Sequence, residues 1–168
     1  LNKDILSKLN NDYQYSIYAS RIYNKGKIQP YPHEKTKILI EYNDQHENLI
    51  LNNSNYTPYY ALYIDHQLKS IVLVIRGTAD SKDAIIDILC NTIEISKKTP
   101  NFIDEDIDCF VHEGFYMASK KIIESLKDTL IKLMMTYEDY DMVVTGHSLG
   151  GGTSIITGVL LYTHLNFI

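Results

Sequence analysis

One short segment near the C-terminal end constrains the fold of this chain more than any other. Residues 141–152 read DMVVTGHSLGGG. Met142–Thr145 favours a β-strand, Leu149–Tyr162 is a helical run, and the residues between them contain the pattern Gly-x-Ser-x-Gly. A strand that bends this sharply into a helix needs glycines on both sides of the central residue, because the backbone segments pass too close for side chains. The segment predicts a tight turn with Ser148 at its tip, and we call residues 146–150 the elbow.

An elbow of this kind gives its serine a chemical role. The strained turn exposes the serine hydroxyl at the top of a sheet, and the first N–H groups of the helix lie beside it. Ser148 is therefore the candidate nucleophile. The alternative, a small residue in a tight turn, is less favoured by the surrounding strand and helix. Adjacent residues on such a turn point apart, so we expect His147 to pack and not to serve as the base.

Composition excludes several classes of protein. The 168 residues are enough for one domain, and the net charge of −5 argues against a nucleic-acid binder, which needs a basic face. Cys90 and Cys109 are expected to be small buried hydrophobic residues, and a disulfide between them is the alternative if the protein is secreted. Asp104, Asp106 and Asp108 resemble the start of a calcium loop that lacks its required Gly and Glu. No metal site and no cofactor are predicted.

The apolar C-terminal stretch bears on membrane insertion and on completeness. Residues 142–168 contain no Asp, Glu, Lys or Arg, but glycines interrupt them, and the apolar remainder is shorter than the roughly 20 residues that span a bilayer. We expect no transmembrane segment and a buried helix. Such a helix needs neighbours on all sides, which predicts that the chain is incomplete after Ile168. No signal peptide is visible, so a cytoplasmic or membrane-associated location is favoured, with secretion open if a leader preceded Leu1.

The order of predicted elements is that of a doubly wound α/β sheet. Periodicity predicts helices over Asp4–Asn24, Asp80–Leu89 and Glu113–Tyr137. The first helix is expected to be amphipathic, with apolar residues every four positions at Ile5, Leu9, Tyr13 and Ile17, and the residues between Leu89 and about Asp106 are expected to be irregular. Strands are predicted as a hairpin of Tyr59–Asp65 and Ser70–Arg76, with short strands near Lys37–Tyr42 and Ile107–His112. We interpret residues 1–168 as a single partial domain, with a helix and loop region at 1–54 and a motif-bearing core at 55–168.

Four motifs occur in a fixed order along the core. They are IVLVIRGT at 71–78, the pair Asp83 and Asp87, VHEGF at 111–115 and TGHSLGG at 145–151. Together they resemble the class 3 lipases, the fungal-lipase-like α/β-hydrolases that include sn-1-specific diacylglycerol lipases. The resemblance covers about residues 55–163. It implies a doubly wound, mostly parallel sheet, truncated here after the nucleophile helix.

The resemblance also implies an activity and a set of site residues. It implies hydrolysis of carboxylic esters in glycerolipids at a membrane or droplet surface, through an acyl-enzyme and without a cofactor. Ser148 would be the nucleophile, Thr78 and the Leu149 N–H would hold the oxyanion, and residues 79–103 would form the lid. It does not distinguish acylglycerols from phospholipids, and it leaves the oligomeric state open.

The chain departs from the family pattern after the serine. The elbow topology takes an acid and then a histidine downstream of the serine, but residues 149–168 contain no Asp or Glu. His164 lies sixteen residues along the same helix, about 24 Å from Ser148 at the helical rise per residue. We therefore expect the triad Asp and His beyond Ile168, and the 168-residue chain alone to be inactive. The alternative is a catalytically incomplete lipase-like binding module or truncated pseudoenzyme.

Two polar residues beside the motifs are expected to have structural roles. We expect His112 to be a buried, hydrogen-bonded histidine that supports the elbow, with a direct catalytic role as the weaker alternative. Arg76 is expected to pair with Asp83 or Asp87 and so to hold the loop that carries Thr78.

Overall fold

A computed structural model describes residues 3–23, 36–41, 58–77, 91–96 and 108–165. The helices in these residues are α1 (Lys3–Arg21), α2 (Glu113–Thr136) and α3 (Leu149–Leu165). The strands are β1 (Thr36–Glu41), β2 (Tyr60–Asp65), β3 (Ser70–Ile75), β4 (Thr92–Glu94), β5 (Phe110–His112) and β6 (Asp141–Gly146).

The continuous apolar run of β3 makes it the central strand, because only a strand covered on both faces can bury every side chain. All six residues of β3 are buried, and so are all six of β2. The two strands form the predicted hairpin, with Tyr60 opposite Ile75 and Asp65 opposite Ser70. Asp65 organises the connecting turn, since one of its carboxylate oxygens accepts hydrogen bonds from Gln67 N and Leu68 N at 2.9 Å.

The main sheet has the strand order β1-β2-β3-β6. The β3–β6 pair is parallel, with Ile75 opposite Gly146, and the other two pairs are antiparallel. The described part of the sheet is therefore mixed, because the short β2–β3 connection can join only antiparallel neighbours. The crossover from β3 to β6 carries α2 and brings the elbow next to the exit of β3.

Helices cover both faces of this sheet, as the two-faced burial of β2 and β3 requires. Alternate strand residues pack on opposite sides, since successive side chains in a strand point to opposite faces. Ala61, Tyr63, Val72 and Val74 pack with α1, at Tyr18 and Ile22. The other face packs with α2 and α3 in one cluster of Tyr60, Leu62, Ile71, Leu73, Ile75, Ile122, Leu126, Leu130 and Leu161.

Small residues allow α2 and α3 to pack closely. The Ser119 hydroxyl on α2 donates to Thr153 O at 3.1 Å, and the Thr157 hydroxyl on α3 lies 3.0 Å from Ser119 Oγ. Gly152 lies under the ring of Phe115, where a Cβ would overlap the ring carbons. The helix that follows the elbow is thus fixed against α2 as well as against the sheet.

Two expectations about the elements were wrong. The apolar face expected for α1 lies largely in solvent, since Ile5, Leu9 and Tyr13 are 50–63% exposed, and only the second half of the helix is buried on the sheet. Residues expected to be irregular form β4, which pairs with β5 in a separate two-stranded sheet. Within the described residues, no helix has both the length and the hydrophobicity to cross a membrane.

Candidate active site

The elbow has the strained geometry that its sequence predicts. β6 ends at Gly146, α3 begins at Leu149, and Ser148 lies exposed between them with φ 58°. Only Ser148 and Lys69 have positive φ among the described residues other than glycine. A left-handed backbone at a residue with a Cβ costs about 1–2 kcal/mol, so the surrounding contacts must hold Ser148 in place.

The two glycines of the pattern allow three backbone segments to meet. A Cβ on Gly146 would lie 2.5 Å from Gly150 O and from Ile75 O. A Cβ on Gly150 would overlap Ile75 O and lie 2.8 Å from Gly77 N. Since both contacts are to backbone atoms, which cannot rotate away as a flexible side chain can, neither position has room for a side chain.

The first amides of α3 surround the backbone of Ser148. Gly151 N and Gly152 N donate to Ser148 O at 2.9 Å and 3.2 Å, and Gly150 N donates to His147 O at 3.0 Å. None of the described residues accepts a hydrogen bond from Leu149 N. A free N–H at the positive end of a helix dipole favours a negatively charged oxygen. The Leu149 N–H adjoins the exposed serine.

The exit of β3 lies against the elbow, as the parallel β3–β6 pairing requires. A Cβ on Gly77 would lie 2.8 Å from His147 O and 3.4 Å from Gly150 N. Thr78 follows directly in the sequence but lies outside the described residues, as do Asp83 and Asp87. Of the expected lid at 79–103, the structure describes residues 91–96, which contain β4.

Arg76 interacts with an aromatic ring at this exit. Its guanidinium carbon lies 4.8 Å from the centre of the Tyr59 ring, and its Nε is buried with no hydrogen-bond partner in the described part of the chain. Because both candidate carboxylates lie outside the described residues, the ion pair expected for Arg76 stays a prediction.

The two histidines near the site have different surroundings. His147 is exposed and meets the ring of Tyr23 edge-on, with the ring centres 5.8 Å apart. His112 is half-buried and caps α2, since its Nδ1 accepts a hydrogen bond from Phe115 N at 3.3 Å. Its ring packs on that of Phe115, which covers Gly152, so His112 meets the helix after the elbow through Phe115.

The family model for lipase (class 3) matches residues 72–167, which is more than half of the chain. The chain belongs to the class 3 lipase family. The match begins within β3 and continues through the crossover and the elbow to the end of α3.

Curated relatives are similar to about three fifths of the chain. A lipase from Rhizopus niveus is 31% identical over 103 residues, which make up 61% of this chain and 24% of that protein. Diacylglycerol lipase-beta from Mus musculus is 27% identical over 104 residues, which make up 61% of this chain and 15% of that protein. The chain thus spans about a quarter or less of the length of these relatives.

Solved structures confirm the α/β-hydrolase fold predicted from the motifs. The nonglycosylated LIP2 lipase of Yarrowia lipolytica superposes with a TM-score of 0.69 at 26% identity, over 94% of this chain and 56% of that chain. The Rhizomucor miehei lipase in its propeptide complex superposes with a TM-score of 0.67 at 20% identity, over 100% of this chain and 50% of that chain.

In this class 3 lipase chain, α1 contributes to the surroundings of Ser148, which the sequence motifs did not indicate. An open groove of about 1000 Å³ runs between α1 and β6 and reaches Ser148. Tyr15, Ala19 and Tyr23 line it from the helix, and residues 143–148 line it from the strand and elbow. No pattern in the neighbouring sequence predicted that Tyr23 lies at the site. It is one of 14 tyrosines in the chain, and it contacts a residue 124 positions away.

The described residues were expected to hold no metal site and contain one of the two cysteines. The described residues contain no group of three or more His, Cys, Asp or Glu that could hold a metal ion. Cys109 is a free, half-buried thiol that packs beside Ile95 and Tyr116. Cys90 lies outside the described residues.

Proposed function

We propose that the whole protein is a serine ester hydrolase of glycerolipids and that Ser148 is its nucleophile. The observation that carries the proposal is the exposed Ser148 with φ 58°, directly beside the Leu149 N–H at the start of α3, which donates to none of the described residues. Residues with strained backbones cluster at active sites, where the strained conformation holds a side chain in the orientation that the reaction needs. Membership of the class 3 lipase family supplies the reaction class.

The proposed chemistry proceeds through an acyl-enzyme. Ser148 Oγ attacks the ester carbonyl, and its proton passes to a general base and then to the departing alcohol. The carbonyl oxygen becomes an oxyanion, which the Leu149 N–H and Thr78 stabilise. One such donor contributes on the order of 10²–10³ in rate. Water then attacks the acyl-serine, releases the fatty acid and restores the hydroxyl.

The general base is not among the residues that follow Ser148 in this sequence. Residues 149–168 contain no Asp or Glu, and His164 lies in the last turn of α3. The proposal therefore places the base histidine and its carboxylate outside residues 1–168. It also places the substrate at a lipid surface, and it treats residues 1–54 and 55–168 as two regions of one partial hydrolase domain.

Turnover of lipid esters by the intact protein tests this function. The wild-type protein should release fatty acid from a panel of mono-, di- and triacylglycerols and a phospholipid, and the panel assigns the substrate class. Ser148→Ala should lower turnover by a factor on the order of 10⁴ or more, because the covalent step is lost.

Ser154→Ala is the matched control. Ser154 lies on the helix that follows the elbow, is buried, and donates a hydrogen bond of 2.7 Å to Gly150 O. It does not line the groove. The substitution should keep turnover within about threefold of wild type, as expected for a site outside the reacting groups. A folded wild-type protein that binds lipid without hydrolysing it would instead support a catalytically incomplete binding module.

A further inference from the structure

The hydroxyl of Tyr23, at the end of α1, contacts both loops that border Ser148. Gly77 N donates to Tyr23 Oη at 3.1 Å. The same oxygen lies 3.3 Å from His147 O and 3.3 Å from His147 Nδ1. A phenol has one proton and accepts through its lone pairs, so Tyr23 accepts from the exit of β3 while it donates to the elbow. The two loops are thereby joined through one oxygen atom.

The space around Gly77 shows how tight this junction is. A Cβ on Gly77 would lie 2.7 Å from Tyr23 Oη and 2.8 Å from His147 O. These three groups therefore meet without room for a methyl group between them. Separation of the two loops would break at least one of the two hydrogen bonds of the hydroxyl.

Both proposed oxyanion donors are close in sequence to residues of the junction. Thr78 directly follows Gly77, and Leu149 is two residues after His147. Oxyanion stabilisation depends on donors that are already fixed where charge develops, and the distance between these two donors depends on the distance between the two loops. The β3–β6 ladder ends at the pair of Ile75 and Gly146, and beyond it the Tyr23 hydroxyl is hydrogen-bonded to both loops.

We propose that Tyr23 is a positioning residue for the oxyanion hole: its hydroxyl sets the spacing between the loop that carries Thr78 and the elbow that carries Leu149. This inference rests on the proposed function. Tyr23 does not touch the reacting atoms in this account and acts only through Gly77 and His147.

Two other tyrosines of α1 provide the matched comparison. Tyr18 Oη donates to the Asp65 carboxylate at 2.7 Å, and Tyr15 Oη lies 2.8 Å from Ser70 Oγ. Both contacts lie at the opposite end of β3 from Gly77. Tyr18 is 2% exposed and lies outside the groove, so Tyr18→Phe removes a buried hydroxyl from the same helix without reaching the site.

The test compares Tyr23→Phe, Tyr18→Phe and wild type in the intact protein with a soluble short-chain ester. Tyr23→Phe keeps the aromatic ring and should lower kcat by about 10-fold to 100-fold with KM within about twofold, as a misplaced donor set would do. Its affinity for a trifluoromethyl ketone, which forms an oxyanion on the serine, should fall by about the same factor. Tyr18→Phe should lower Tm by more than Tyr23→Phe and leave kcat within about twofold.

A second variant addresses the junction from the other side. Gly77→Ala places a methyl group between Tyr23 Oη and His147 O, and it should also lower kcat at unchanged KM. Unchanged kcat in Tyr23→Phe would overturn the inference. A loss confined to KM, or an equal loss of kcat in Tyr18→Phe, would overturn it as well. A wild-type protein that neither hydrolyses the ester nor binds the ketone would contradict the proposed function itself.

Discussion

At Ser148 the backbone has φ 58°, a value that costs a residue with a Cβ about 1–2 kcal/mol. Hydrogen bonds from Gly151 N and Gly152 N to Ser148 O offset part of this cost. The close passage of Gly146 and Gly150 fixes the remainder of the turn. The geometry of the elbow is therefore a property of the glycines as much as of the serine.

Gly150→Ala should show this dependence directly. The added methyl group would overlap Ile75 O, so β3 and the elbow would have to separate, and the free energy of unfolding should fall by about 2 kcal/mol or more. Gly158→Ala is the matched control on the same helix, because a Cβ there meets nothing within 4 Å. It should raise the free energy of unfolding by up to about 1 kcal/mol, through better helix propensity. Urea unfolding measures both, and equal effects of the two substitutions would contradict the account.

Local and non-local residues differ in how far the sequence predicted them. The glycines and the turn at Ser148 were predicted because the pattern that identifies them lies within five consecutive residues. The packing role expected for His147 was confirmed, but its partner Tyr23 was not predicted, since that contact spans 124 positions. His112 was expected to be buried, to be hydrogen-bonded and to support the elbow. It is half-buried and accepts a hydrogen bond as the N-cap of α2, and it meets the helix after the elbow through Phe115.

At the scale of elements, one carboxylate in the β2–β3 hairpin is hydrogen-bonded both to the turn of the hairpin and to α1. Asp65 is buried at the turn and accepts hydrogen bonds from Gln67 N, Leu68 N and the Tyr18 hydroxyl. The turn, the sheet and the second half of α1 therefore depend on the same side chain.

Asp65→Ala should destabilise the protein more than loss of the Tyr18 hydroxyl. It leaves three donors without their acceptor, which should lower the free energy of unfolding by about 2–4 kcal/mol, whereas Tyr18→Phe should cost about 1–2 kcal/mol. Thermal or urea unfolding of the two variants gives the comparison. A cost for Asp65→Ala no greater than that for Tyr18→Phe would mean that the turn does not depend on this carboxylate.

Elements with strong periodicity were predicted well, and short or weakly constrained ones were not. The long helix α2, the hairpin and the strand–elbow–helix unit were predicted within a few residues of their observed ends. β4 has three residues, too few to establish an alternating pattern. The apolar spacing in the first half of α1 predicted a packing face, but that half of the helix is exposed. Spacing alone does not reveal how far the sheet extends beneath a helix.

At the scale of the whole molecule, the described residues form a sheet between helices on both faces, and the superposed lipases share this fold. The family and the fold follow from the ordered motifs, and those in the described residues fix close approaches between elements at Gly77, Gly146, Gly150 and Gly152. The acyl chain preference, the base and the acid do not follow, since residues 149–168 carry no acid and the site is described only as far as Gly77 on the side of β3.

The central claim is that Ser148 Oγ is an activated nucleophile, and reaction of the intact protein with a fluorophosphonate probe tests it most directly. Mass spectrometry of the labelled protein should show a single adduct on the peptide that contains Ser148. Ser148→Ala should show no adduct, and Ser154→Ala should be labelled as wild type is. An adduct on another residue, labelling that survives Ser148→Ala, or a folded wild-type protein that does not react would contradict the claim.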